Sequence, residues 1–149
     1  MKHADPRLCR AAFVISCCVA ASAAAANCDP VIAAYEKSGN EPRAEMFVGV
    51  GPSQPLGAPS DAWTGPNPLG QVAADLRTAA GKGLSKCTPA GVGDYRGTAV
   101  EKYTVQPHPA SSGEEAHVVW IQKSTGLFVL EEIPDAGMFI AYRYPDAGR

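Results

Sequence analysis

The segment at residues 116–133 constrains the fold most, because it reads as a β-hairpin with apolar side chains on both faces. Successive side chains of a strand point to opposite faces, and a half-solvated strand alternates apolar with polar residues. Here Val118 and Trp120 point one way, while Val119 and Ile121 point the other. Each face therefore needs a cover, which helices, a loop, a partner or a ligand could supply.

The turn and second strand of this hairpin are also defined by the sequence. Residues 124–126 join the two strands, and Gly126 suits the left-handed position of a three-residue loop. In the second strand, strict alternation places Phe128 and Leu130 on one face. That face is apolar too, so the requirement for two covers extends over both strands.

Periodicity and turn residues predict the other elements. Asp29 and Pro30 open a helix that Gly39 ends, with the Asp29 side chain as its cap. An i, i+3, i+4, i+7 stripe predicts a second helix over Leu69–Ala80. Further strands are predicted at Met46–Val50, Leu84–Thr88, Thr98–Gln106 and Met138–Tyr144.

A proline-rich stretch separates the first helix from the second. It runs from Gly51 to Gly70 and contains five prolines, a density that excludes a central strand. Trp63 lies in its middle, where it would serve as a plug on the core or as a lid over a site. Together these elements predict an α+β fold, with a curved, half-barrel-like antiparallel sheet of about five strands and two helices on one face.

The N-terminal 26 residues are typical of a cleavable export signal. A basic opening with Lys2, Arg7 and Arg10 precedes an uncharged run of 16 residues, which ends in three alanines before Asn27. The run is short for a bilayer span and suits a signal peptide. We therefore predict a periplasmic protein with a signal peptide at 1–26, a single domain at 27–149 and no transmembrane segment in the mature chain.

Lipidation is the alternative outcome of export. Residues 14–17 resemble a lipobox, in which Cys17 would be acylated and become the new N-terminus. Only three residues separate Arg10 from this motif, so the apolar stretch is too short, and we favour full cleavage over a lipid anchor.

Removing the signal leaves two cysteines, Cys28 and Cys87. In an oxidising compartment, two cysteines most simply form one disulfide. The loop that it closes would contribute about 4 kcal/mol to stability by the chain-entropy model. No Cys-x-x-Cys spacing supports a redox pair instead.

The charge pattern and the motifs exclude several function classes. The mature chain has 10 basic and 14 acidic residues without a basic cluster, so nucleic acid is not an expected partner. No Gly-x-Ser-x-Gly elbow or phosphate loop is present, and we predict no enzyme and no cofactor. His108, His117 and one glutamate could ligate zinc, but their spacing matches no short motif, so we predict no metal site. Glu114 and Glu115 and also Glu131 and Glu132 are interpreted as solubilising charges at strand ends.

Several motifs follow one another along the chain, and the most specific of them lie after residue 75. The strongest runs from Trp120 to Leu127, and Tyr142-Arg143-Tyr144 follows it. The motifs before it are, in chain order, Cys28-Asp29-Pro30-Val31-Ile32, Asp75-Leu76-Arg77, Cys87, Tyr95-Arg96-Gly97-Thr98-Ala99 and Tyr103. In this order they resemble small bacterial periplasmic proteins of the lipoprotein-carrier (Lol-type) superfamily. The resemblance implies a half-barrel with helices against its concave face, a cavity that holds acyl chains or is closed by the helices, and a Cys28–Cys87 pair. The proline-rich stretch stands where relatives have more strands.

These observations predict a non-enzymatic binding or chaperone-like protein. Its ligand would be an acyl chain, a lipid, or a lipidated or hydrophobic partner segment. The alternative is an envelope protein-interaction module without a small-molecule ligand. The candidate ligand-binding residues are Trp63, Trp120, Phe128, Leu130 and Tyr142.

Overall fold

A computed structural model describes residues 27–147 of the chain. The predicted signal peptide and Cys17 lie outside the described residues. The two helices are α1 (Asp29–Gly39) and α2 (Leu69–Gly81), and a single 3₁₀ turn spans Pro134–Ala136. The strands are β1 (Arg43–Val48), β2 (Asp61–Thr64), β3 (Lys86–Tyr95), β4 (Thr98–Gln106), β5 (His117–Gln122), β6 (Phe128–Ile133) and β7 (Met138–Arg143).

The fold is α+β, as predicted, but the sheet has seven strands rather than about five. Their order is β2-β1-β7-β6-β5-β4-β3, and every neighbouring pair is antiparallel. The sheet is open, with β2 and β3 at its edges. The strand that the sequence did not predict is β2, which lies inside the proline-rich stretch; an edge strand tolerates neighbouring prolines that a central strand would not.

The hairpin of β5 and β6 contains a bulge that changes which side chains share a face. Trp120 pairs with Leu130, whereas Ile121 pairs with Phe128, so Val129 is the extra residue. The expectation that Phe128 and Leu130 share a face was therefore wrong. Strict alternation fails here because the bulge moves Phe128 to the opposite side of the sheet.

The two helices cover one face of the sheet. We call the buried residues between the helices and this face the helix-side core. Val31 and Tyr35 of α1 and Leu76 of α2 pack there against Val119 and Phe128 of the sheet. Close approach of the helices depends on Gly39, because a Cβ atom at this position would lie 2.5 Å from the backbone nitrogen of Gly70. The helical contact thus requires a residue without a side chain at the end of α1.

The start of α1 differs from the sequence prediction. Cys28 rather than Asp29 is the N-cap, and Asp29 lies in the first turn. The backbone N–H of Asp29 donates to Asn27 Oδ1 over 3.0 Å. Cys28 also forms the predicted disulfide with Cys87 in β3, with the two Cα atoms 5.0 Å apart. The bond therefore ties the first turn of α1 to an edge strand. Neither α1 nor α2 is long and apolar enough to cross a bilayer.

The opposite face of the sheet carries a second buried group, which we call the tryptophan face. Its residues come from β1, β4, β5, β6 and β7 and from the last residue of β3. Val50 and Leu56, from the loop between β1 and β2, pack on this group. The tryptophan face consists of Phe47, Tyr95, Val100, Trp120, Val129, Leu130 and Ala141.

Candidate functional site

A cluster of polar side chains is buried on the helix side of the sheet, and we call it the histidine cluster. It consists of Tyr35, His108, His117 and Glu131. Tyr35 comes from α1, His108 from the turn after β4, His117 from the start of β5 and Glu131 from β6. The relative exposure of the four residues lies between 1% and 8%.

Strand register explains why Glu131 points inward. It pairs with Val119, whose side chain lies in the helix-side core. Partners in an antiparallel pair share a face, so Glu131 lies on the same face as Val119. His117 lies on this face too, because it is two residues before Val119 in the strand. The expectation that Glu131 is a solubilising charge was therefore wrong, whereas its neighbour Glu132 pairs with Val118 on the other face.

The hydrogen bonds of His108 define the tautomer of its neutral ring. The backbone N–H of Ala110 donates to His108 Nδ1 over 3.2 Å, which places the proton of a neutral His108 on Nε2. That nitrogen lies 2.9 Å from the Tyr35 hydroxyl and 3.4 Å from Glu131 Oε1. His117 Nδ1 contacts the same Glu131 oxygen. Glu131 Oε1 is therefore shared by both histidines.

Burial governs the titration of two members of the cluster. Desolvation lowers the pKa of His108 from 6.5 to about 4; the Glu131 carboxylate opposes this shift and His117 adds to it. Burial raises the pKa of the Tyr35 hydroxyl well above its usual value, and Glu131 raises it further. At neutral pH, His108 is thus uncharged and Tyr35 retains its proton.

One nitrogen of the cluster has no hydrogen-bond partner. His117 Nε2 is buried and unpaired within the described residues, while the His108 and His117 rings stack with their centroids 4.2 Å apart. Glu131 forms its ion pairs with these two histidines alone, again within residues 27–147. The cluster therefore combines a buried carboxylate, a neutral imidazole and an unused ring nitrogen.

In contrast to the histidine cluster, the tryptophan face is mostly apolar and contains two unpaired hydrogen-bond donors. Trp120 Nε1 and the Tyr95 hydroxyl are buried without a hydrogen-bond partner in the described part of the chain. Their rings meet edge to face, with centroids 6.2 Å apart. Lys102 Nζ lies 3.7 Å from the centre of the Trp120 ring, and the Arg96 guanidinium lies 5.1 Å from that of Tyr95. Two cations thus lie against the two rings that carry the donors.

Residues 49–60, which we call the proline loop, cover this face. The loop begins where the Gly49 N–H donates to the Phe139 carbonyl, and it ends where the Ser60 N–H donates to Met46. Between these points, the Arg96 side chain donates to the carbonyl of Gln54. No regular element covers the tryptophan face there, because residues 49–60 contain turns and bends only.

The five predicted ligand-binding residues do not lie on a common surface. Trp63 packs half-buried against the helix-side core, where Phe128 and Tyr142 also lie. Trp120 and Leu130 belong to the tryptophan face and are 7% and 0% exposed. The sheet separates the two groups, so a single ligand would contact either the first three residues or the last two.

Comparisons with protein-family models, with curated proteins and with solved structures found no match for this chain. The resemblance to Lol-type proteins therefore stays a prediction from the sequence motifs.

Proposed function

We propose that this chain is an exported, periplasmic, non-enzymatic binding protein for an amphipathic acyl ligand. The ligand would lie on the tryptophan face beneath the proline loop. The observation that carries the proposal is the pair of buried, unpaired donors at Trp120 Nε1 and the Tyr95 hydroxyl. A buried donor without an acceptor costs about 1–3 kcal/mol, so an acceptor supplied by a ligand would be favoured there.

The surroundings of these donors indicate the class of acceptor. Lys102 and Arg96 lie against the same two rings, which favours an anionic head such as a carboxylate. Beside the donors, Phe47, Leu130 and Ala141 provide a floor for an apolar tail. A fatty acid combines both parts and fits this arrangement of charge and hydrophobicity.

Binding would require the proline loop to move. Trp120 and Leu130 are closed off from solvent, and the loop covers this face with the apolar side chains of Val50 and Leu56. Such a loop can open locally at lower free energy than the sheet, because few buried contacts hold it. A ligand tail would then replace Leu56 as the cover of the floor.

Tryptophan fluorescence tests the proposal directly, because the chain has two tryptophans. The Trp63→Phe variant leaves Trp120 as the only indole, and oleate should change its emission and saturate at micromolar concentration. Oleyl alcohol, which lacks the carboxylate, should bind about tenfold more weakly, since a charge-assisted hydrogen bond contributes roughly 1.5–3 kcal/mol.

A matched pair of lysine variants locates the head group. Lys102→Met keeps the length of the side chain and removes its charge, so the affinity for oleate should fall several-fold. Lys82→Met removes an exposed charge at the end of α2 and should leave the affinity unchanged. If oleate does not bind at tens of micromolar, or if both variants bind equally well, ligand carriage on this face is the wrong function.

A protein-interaction module is the second candidate, and the exposure of two apolar residues near an edge strand favours it. Leu84 is 63% exposed and Val92 is 71% exposed, and both lie in or beside β3. In this case the sheet faces stay filled and the partner contacts the edge. Cross-linking in periplasm that recovers no stoichiometric partner would count heavily against it.

A further inference from the structure

We propose that His108, His117 and Glu131 form a binding site for a divalent transition-metal ion. The site lies on the helix side of the sheet, so the inference does not rest on ligand binding at the tryptophan face. One donor atom from each of the three residues lies within 4.8 Å of the other two. Two imidazoles and one carboxylate are a ligand set that zinc uses in proteins.

The distances require only small movements. Zinc binds nitrogen and oxygen at about 2.0–2.2 Å, so tetrahedral ligands lie about 3.3 Å from one another. His108 Nε2 and Glu131 Oε1 are already 3.4 Å apart. The contact between His117 and Glu131 would widen, and donor atoms that now lie up to 4.8 Å apart would approach by up to about 1.5 Å. The Tyr35 hydroxyl, 2.9 Å from His108 Nε2, is the remaining polar group of the cluster.

Charge favours a cation at this position. Glu131 is buried, and its ion-pair partners in residues 27–147 are two histidines rather than lysine or arginine. A buried carboxylate without a compensating charge is unfavourable. A divalent ion held by neutral His108 and His117 would compensate the carboxylate and leave a net charge of +1 in the site.

Metal binding would change the tautomers of both histidines. In the free cluster, the neutral His108 carries its proton on Nε2, and His117 directs Nδ1 toward Glu131. A metal at His108 Nε2 moves that proton to Nδ1 and breaks the 3.2 Å bond from Ala110. A metal at His117 Nδ1 leaves the proton of this ring on Nε2, the nitrogen that has no partner in the free cluster. Of the three ligands, only His108, in the turn after β4, would lose a backbone hydrogen bond.

Adjacent glutamates in β6 provide the matched test. Glu131→Gln removes the ligand charge with no change of shape, and Glu132→Gln does the same on the opposite face of the strand. The probe is zinc sulfate added to the metal-free protein with its disulfide intact, measured by isothermal titration calorimetry and by metal analysis after gel filtration. We expect one zinc per chain, a higher melting temperature with zinc, and binding at least tenfold weaker in Glu131→Gln than in Glu132→Gln.

The buried position requires a second route of loading. If the folded protein takes up no zinc, the protein is refolded from urea with zinc present, and the bound metal is again measured. Absence of zinc from the refolded protein would overturn the proposal, and so would equal affinities in the two glutamine variants, which would indicate surface binding. Oleate binding should be unaffected by chelator in either case, so failure of one proposal is separable from failure of the other.

Discussion

At the scale of single residues, Glu131 organises the polar part of the core. Its carboxylate oxygen contacts His117 and lies 3.4 Å from His108, whose other nitrogen accepts from the backbone of Ala110. Removing a partner from such a buried group leaves a charge or a donor unpaired, which destabilises proteins more than the pair itself stabilises them. Protonation of the buried, neutral His108 is therefore expected to destabilise the fold.

The stability of the fold should decrease as the pH falls from 7 to 5. The pKa of His108 is about 4 in the folded chain, and its ordinary value of 6.5 applies in the unfolded chain. Between these pH values the unfolded chain therefore binds more protons than the folded chain. The linkage relation gives a loss of about 2 kcal/mol of stability from pH 7 to pH 5, and the loss is complete only below pH 4. Urea unfolding at the two pH values measures it.

A His108→Gln variant isolates this effect from other titrating groups. Glutamine can still hydrogen-bond but does not titrate, so the variant should lose about 2 kcal/mol less than the wild type between pH 7 and pH 5. If the two proteins lose equal stability, His108 is not the buried neutral group described here.

The two histidines and one glutamate were considered as zinc ligands from the sequence, but the sequence did not predict that they meet, for physical reasons. Histidine spacing along the chain carries no signal when the ligands come from a turn and two strands. The position of Glu131 depends on its register against Val119, and Glu131 and Glu132 look equivalent in the sequence. The sequence feature that could have indicated the cluster is the apolar character of β6 on both faces, because a glutamate is uncommon in such a strand.

At the scale of elements, contact between α1 and α2 depends on a glycine. A Cβ at Gly39 would lie 2.5 Å from the nitrogen and 2.7 Å from the Cα of Gly70, and both of those atoms belong to the backbone of α2. Such overlap can be relieved only by moving one helix. We expect Gly39→Ala to lower the free energy of unfolding by on the order of 2 kcal/mol, measured by urea denaturation.

The facing glycine is the control. A Cβ at Gly70 meets no atom within 4 Å, so Gly70→Ala should leave the stability unchanged or raise it slightly. Equal effects of the two substitutions would show that helix propensity, rather than the contact of the helices, decides the outcome.

Element prediction succeeded where periodicity was strong and failed at the sheet edges. The second helix was predicted over Leu69–Ala80 and spans Leu69–Gly81, and β4 was predicted with its observed bounds. The strand predicted at Leu84–Thr88 continues to Tyr95, through Pro89 and two glycines that hide its strand character. Both proline and glycine are tolerated there because β3 is an edge strand with a register shift between Pro89 and Gly91.

At the scale of the whole molecule, the disulfide connects parts that the chain separates by 59 residues. It holds the start of α1 against β3, and both cysteines are buried. Replacing Cys28 or Cys87 by serine should lower the free energy of unfolding by about 4 kcal/mol, since the unfolded chain regains the freedom of the closed loop. Equal melting temperatures of oxidised and reduced protein would contradict this expectation.

The molecule thus has two filled faces of different chemistry. The helix-side core holds a buried carboxylate with two histidines, and the tryptophan face holds two unpaired donors beside cations. A regular layer of helices covers the first face, whereas the proline loop covers the second. Because the loop is the weaker cover, we expect an acyl ligand to enter beneath it.

Native mass spectrometry of the mature protein with oleate tests entry of the ligand beneath the proline loop. We expect one added oleate per chain, and a clear loss of that species in Trp120→Phe, which keeps an aromatic ring but removes the indole N–H. Trp63→Phe, the corresponding change on the helix side, should retain the complex. A protein that stays free of ligand at every oleate concentration, or a complex equally abundant in both variants, would show that no acyl ligand binds on the tryptophan face.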